Sequence, residues 1–123
     1  MNNSSNPKKH YASAIYDVAV DTGAVATLVP KETSVVPDNA IIVELVIETL
    51  AVGVGNSHTL IVNAGGVAIS AATSIANRSV TVPYTTVTPK KATSAAAISV
   101  TIGTGIATAG KYCITVGYFT SGE

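Results

Sequence analysis

Few side chains in this sequence are of the kinds that drive reactions. His10 lies in a polar N-terminal stretch, and His58 follows Gly55-Asn56-Ser57. Neither has a cysteine or second histidine at metal-ligand spacing, so both read as exposed loop residues. The single cysteine, Cys113, falls mid-strand on the parity opposite Tyr112 and Ile114. It reads as a partly buried, inert thiol rather than a nucleophile.

The carboxylates offer two pairs. Asp17 and Asp21 bracket one segment, and Glu44 and Glu48 share one strand face. Two acids that cleave a glycosidic bond stand about 5 to 10 Å apart. Residues four apart on one strand face are roughly 13 Å apart. Solvated face charges are therefore the expectation, and glutamates on a strand also discourage stray edge pairing. Gly53-Val54-Gly55 and Gly103-Thr104-Gly105 neither open a helix nor precede the Lys-Ser/Thr of a phosphate loop. They read as turns. Asn77-Arg78-Ser79 spells a glycosylation sequon, which carries no meaning without a secretion signal. No catalytic, cofactor-binding or metal-binding residue is expected. What remains are two small basic clusters, Lys8-Lys9-His10 and Lys90-Lys91. The first is the candidate contact site, because a flexible basic arm can reach an acidic neighbouring subunit.

The elements that carry these residues are strands. Hydrophobic residues make up 47% of the chain and charged residues only 11%, against roughly 25% charged in ordinary soluble domains. The apolar content is chiefly Ala, Val and Ile, with Thr and Ser between, which suits a pleated surface. The 123 residues are one domain's worth. Residues 1–10 read as a flexible N-terminal arm and residues 11–123 as the folded domain.

Within that domain, Ala12 to Val20 alternates as a strand. Asp21-Thr22-Gly23 is a turn, and Ala24 to Val29 returns as its partner. Pro30 to Pro37 reads as a loop. Ala40 to Ala51 is a strand sending Ile41, Val43, Leu45 and Ile47 inward and the two glutamates outward. Thr59 to Asn63 is a strand closed by the Ala64-Gly65-Gly66 turn. Val67 to Ile75 is ambiguous between weak strand and helical turn. Ser79 to Tyr84, Ala95 to Ile102 and Lys111 to Phe119 complete the set, with loops over Thr85 to Thr93 and Gly103 to Gly110. About eight short strands with turn residues between them predict an all-β fold, an antiparallel β-sandwich or jelly-roll-like Greek key.

Formal net charge is zero, so a nucleic-acid partner has no basic excess to support it. The same balance weakens self-repulsion and favours a homo-oligomer. The apolar run of Ala40 to Val54 is interrupted by Glu44 and Glu48 and is too short to span a bilayer, so no membrane partner is expected. The polar start lacks a signal-peptide core, which points to synthesis in a cytoplasm. Aromatics are 5% with no Trp, a poor match to the flat platforms of sugar-binding modules.

Three stretches, taken in order, carry a resemblance. They are Ala14-Ile15-Tyr16-Asp17-Val18-Ala19-Val20-Asp21-Thr22-Gly23-Ala24-Val25, then Val36-Pro37-Asp38-Asn39-Ala40-Ile41-Ile42-Val43-Glu44 running on to Leu60-Ile61-Val62-Asn63-Ala64-Gly65-Gly66, and finally Thr108-Ala109-Gly110-Lys111-Tyr112-Cys113-Ile114-Thr115-Val116-Gly117-Tyr118. Together they resemble small structural proteins of tailed bacteriophages, although Thr22 stands where a second glycine is usual. The resemblance implies a non-enzymatic virion protein made in the host cytoplasm. Its first expected role is a capsid decoration or cement protein on the capsid surface. Such a protein would sit as a homotrimer and bind the major capsid protein, with Lys8, Lys9 and His10 as a capsid-contact arm. The alternatives are a tail, neck or head-fibre protein, or a carbohydrate- or receptor-binding β module.

Overall fold

The computed structural model describes residues 8–55, 59–70, 73–74, 82–84 and 89–120. The elements run β1 (Lys9–Asp17), α1 (Val18–Asp21), β2 (Thr27–Leu28), β3 (Glu32–Thr33), β4 (Val35–Val36), β5 (Ile41–Gly55), β6 (Thr59–Ala64) and β7 (Val67–Ala68). They continue with β8 (Thr73–Ser74), β9 (Val82–Tyr84), β10 (Lys90–Lys91), β11 (Ala96–Ala97), β12 (Ser99–Gly103) and β13 (Ala107–Phe119). The fold is an all-β sandwich of antiparallel sheets.

The larger sheet has the order β10-β5-β13-β1-β3, with β9 also on β5. The opposing sheet has the order β2-β12-β6-β7, with β8 also on β6, and β4 and β11 form a small third pair. The core lies between the two large sheets. From one side come Ala12, Ala14, Tyr16, Ile42, Leu45, Ile47, Tyr112, Ile114 and Val116; from the other come Leu60, Val62, Ala64, Ile98, Val100 and Ile102. Alternation holds along β6, β12 and β13 because successive side chains of a strand point to opposite faces.

The longest strand departs from the expected pattern. In β5 the buried residues are Ile42, Leu45 and Ile47, while Ile41 and Val43 are only half-buried. Gly117 pairs with Glu44, but Tyr118 pairs with Ile42, so Val43 is an extra residue. This β-bulge flips the parity of β5. It brings Ile42, not Ile41 or Val43, into the core. The strand also runs through Gly53 and Gly55, where a loop was expected.

The expected hairpin after the first strand does not form. Asp17 stops β1 and caps a helical turn, its Oδ1 accepting the Ala19 N–H at 3.0 Å. Asp21 then ties the turn down: its carboxylate accepts N–H groups from Asp17 at 3.0 Å and Lys31 at 2.9 Å. The chain leaves for the other sheet, where β2 pairs with β12. Thr22 adopts φ 70, ψ 159, a region close to glycine-only. Its position is held by the Tyr16 hydroxyl donating to its carbonyl at 2.8 Å and by its own N–H donating to Val18. A glycine at this place would adopt that backbone without strain. The Gly65-Gly66 turn does behave as read: both residues have positive φ and join β6 to β7 through a two-residue loop.

Tyr16 and Tyr112 stack in the core with ring centroids 6.3 Å apart. Burial first, and the Asp21 charge second, push the Tyr16 phenol up to about 12. Below the unfolded value near 10 the phenol is protonated in both states. Above it, the unfolded chain releases the proton first. Thermal stability is therefore expected to hold up to about pH 10 and fall between pH 10 and 12. In a calorimetric pH series the Tyr16→Phe variant should lose part of that fall. Neighbouring residues on β13 offer a second check. Ile114→Ala should cost about 2 to 5 kcal/mol in urea denaturation, and Thr115→Ala, on the opposite face, under about 1 kcal/mol.

Candidate functional site

The outer face of the larger sheet is the one turned away from Tyr112, Ile114 and Val116. At one end of it β1 starts, β13 ends and β10 pairs along the free edge of β5. Lys9 pairs with Phe119 across the sheet, Phe119 with Ile41, and Ile41 with Lys91. In the adjacent row His10 pairs with Tyr118, Tyr118 with Ile42, and Ile42 with Lys90. The basic clusters that the sequence keeps far apart thus meet at one end of one sheet.

Lys9 and His10 are strand residues, so the sheet starts two positions inside the expected arm. Lys8 is exposed directly before it, and residues 1–7 lie outside the described residues. Lys90 and Lys91, read as loop, form β10. The His10 and Tyr118 rings stack at 5.6 Å.

Lys9 reaches over β13 to Glu44 on β5 and forms an ion pair with it. The route passes above Gly117, where a Cβ would stand 2.8 Å from Glu44 Oε1 and 2.9 Å from Lys9 Cε. Only a glycine leaves that gap open. Glu44 Oε1 is shut off from solvent beneath the ammonium. The hydrogen bond to Glu44 holds the Lys9 ammonium above its ordinary range, and the Tyr11 ring lies 5.5 Å from Lys9 Nζ. Glu44 is therefore a cross-strand latch rather than a solvated face charge, while Glu48 is exposed as expected.

The other carboxylate pair is also structural. Asp21 is only 9% exposed and both of its oxygens accept backbone N–H groups. A cavity of about 200 Å³ lies beside it, lined by Asp17, Asp21, Glu32, Lys31 and Lys111 among others. Acids and lysines alternate there, and Asp17 and Asp21 are already bonded to the backbone. Among the described residues, no three His, Cys, Asp or Glu side chains are placed to hold a metal ion, and no helix is long and apolar enough to cross a membrane. Cys113 is a half-buried free thiol opposite Ile15 on β1 and Glu48 on β5. His58 and Asn77-Arg78-Ser79 lie outside the described residues.

Sequence reasoning did not single out the apolar surface. Leu50, Val52 and Val54 on the far half of β5, with Ile106 before β13, are each about half-exposed. Tyr11 is 60% exposed on the outer face. Exposed aliphatic and aromatic side chains of this kind fit a surface that docks on other proteins.

No protein-family model matches this chain, and no curated protein matches it. Solved structures do. One chain of the cyanophage Pam1 capsid asymmetric unit superposes with a TM-score of 0.67 at 17% identity, over 98% of this chain and 90% of that one. A chain of the acid-stable capsid of Helicobacter pylori bacteriophage KHP30 superposes with a TM-score of 0.53 at 14% identity, over 90% of this chain and 86% of that one. At these identities the likeness is one of fold, and it extends over nearly the whole chain.

The latch makes one expectation measurable. Gly117→Ala places a methyl group between Lys9 and Glu44, so the first residues of β1 should loosen. Amide hydrogen exchange at Lys9 to Tyr11 should quicken in this variant, while exchange in β12 stays unchanged.

Proposed function

We propose that this chain is a non-enzymatic structural protein of a bacteriophage virion, a decoration or cement protein of the capsid. The observation that supports this most is the superposition over 98% of the chain on a chain of a phage capsid structure. The surface is compatible with the role. A sandwich offers shape-stable faces, and three of its carboxylates, Asp17, Asp21 and Glu44, are engaged in holding its own backbone and strands together. In this reading the partner is the major capsid protein, and the copies sit on the capsid surface as a homo-oligomer, a trimer. Lys8, at the start of the sheet, and the half-exposed Leu50, Val52, Val54 and Ile106 supply the contacts. Binding favours the assembled shell because it lowers the free energy of the assembled state alone.

The test is a copy-number and stability measurement on whole particles. Quantitative mass spectrometry of intact virions should find this chain at a high copy number fixed by the symmetry of the shell. Particles stripped of it should release their genome at lower temperature, and adding back the purified chain should restore the original value. A few copies per particle, or an unchanged release temperature, would sink the decoration reading.

A further inference from the structure

The outer face of the larger sheet carries two charged rows of opposite sign. The first is Lys91–Ile41–Phe119–Lys9, across β10, β5, β13 and β1. The second is Glu48–Cys113–Ile15–Glu32, across β5, β13, β1 and β3. Both lie on the same face, because directly opposed residues share a face and Phe119, Gly117, Thr115 and Cys113 alternate with the buried Tyr112, Ile114 and Val116. Each row has two apolar residues flanked by two like charges. Along β13 they stand about 20 Å apart at ~3.3 Å per residue.

The residues between the rows are mostly small. Tyr11, Gly117 and Glu44 form one line, and Ser13, Thr115 and Val46 the next. Lys8 and Lys90 add positive charge at the lysine end. At the other end Lys111 lies opposite Asp17 in the following line, and Lys31 precedes Glu32. Lys9 is already held by Glu44. Lys91, Glu48 and Glu32, all exposed, thus have neither an opposite charge in their own row nor an ion pair among the described residues.

We propose that this face docks on the same face of a second copy, sheet on sheet, with strands antiparallel and the lysine row of each over the glutamate row of the other. A two-fold axis parallel to the rows, level with Val116, performs the operation. It sets Tyr11 over the second copy's Ser13, so the exposed ring meets the smallest side chain of the facing line. Phe119 meets the second copy's Cys113, whose free thiol packs as a small hydrophobe. Lys91 and the second copy's Glu48 are staggered by one strand spacing, about 4.8 Å, which a lysine side chain spans. A two-fold axis along the strands would instead set lysine on lysine, so the charge pattern selects one orientation. Zero net charge leaves no long-range repulsion against the approach. The contact is isologous, so each pair occurs twice. It stands on the charge rows alone and not on the virion reading.

Sedimentation of the full chain over a concentration series decides it. The wild-type chain should associate into two-fold pairs, or pairs of its oligomer, more strongly at low salt than at high salt. Lys91→Glu and Glu48→Lys, each verified as folded by circular dichroism, should each weaken association about tenfold, since every exposed pair is lost twice. The double variant carrying both changes should recover it, because the charges are exchanged rather than removed. Ser13→Tyr should block the contact by bulk with all charges in place. The proposal is overturned if the wild-type chain stays monomeric into the millimolar range, if its association ignores Lys91→Glu, or if the double variant stays as weak as the single ones. Loss of binding to nucleic acid in Lys91→Glu, with self-association unchanged, would equally overturn it.

Discussion

The last strand is the constraint on which the rest of the structure depends. β13 is central in the larger sheet, paired on one side with β1 and on the other with β5. A central strand must satisfy its backbone N–H and C=O groups along both edges. The sheet therefore cannot close until the two ends of the chain meet, with Lys9 against Phe119 and Asp17 against Lys111. The same strand sends Tyr112, Ile114 and Val116 into the core. Its inner face supplies burial and its outer face supplies a platform.

Two small irregularities let that platform carry charge. The extra residue at Val43 turns Ile42 inward while leaving Glu44 outward beside Gly117. The missing side chain at Gly117 then lets Lys9 cross a whole strand to reach it. Without the bulge, either Ile42 or Leu45 would face water, since a strand alternates with period two. The ion pair lies at the surface with about a third of each side chain exposed, so it stabilises little by itself. Its effect is positional: it anchors the beginning of β1 where no large side chain is yet buried.

The edges tell a related story. Among the described residues, the strands at the rims of the two large sheets are β2, β3, β7, β8 and β10, each two residues long, and β9, three residues long. Short edge strands are poor templates for strand addition. Strand addition at these rims is thereby disfavoured, and the larger exposed surfaces are the sheet faces and the apolar far half of β5.

Much of this was legible in the residues. The all-β class, the sandwich, the burial of β6, β12 and β13 and the Gly65-Gly66 turn follow from period-two alternation and turn chemistry, which act within a few residues of the chain. The inward set of β5 was misread because a bulge depends on the partner strand, here β13, and leaves no mark on its own strand's composition. The helical turn at Val18 to Asp21 was hidden because apolar residues there alternate as a strand would; the Asp17 cap and the bonds from the Asp17 and Lys31 N–H groups to Asp21 decide otherwise. Two-residue strands such as β3, β4 and β10 are too short to show any period. The convergence of Lys8 and Lys9 with Lys90 and Lys91, and the matching row of Glu32 and Glu48, had no local signal at all. Local side-chain preference determined which segments are strands and which residues are buried in most of them. The pairing of distant segments, set by backbone hydrogen bonding around β13, decided which charges share a face.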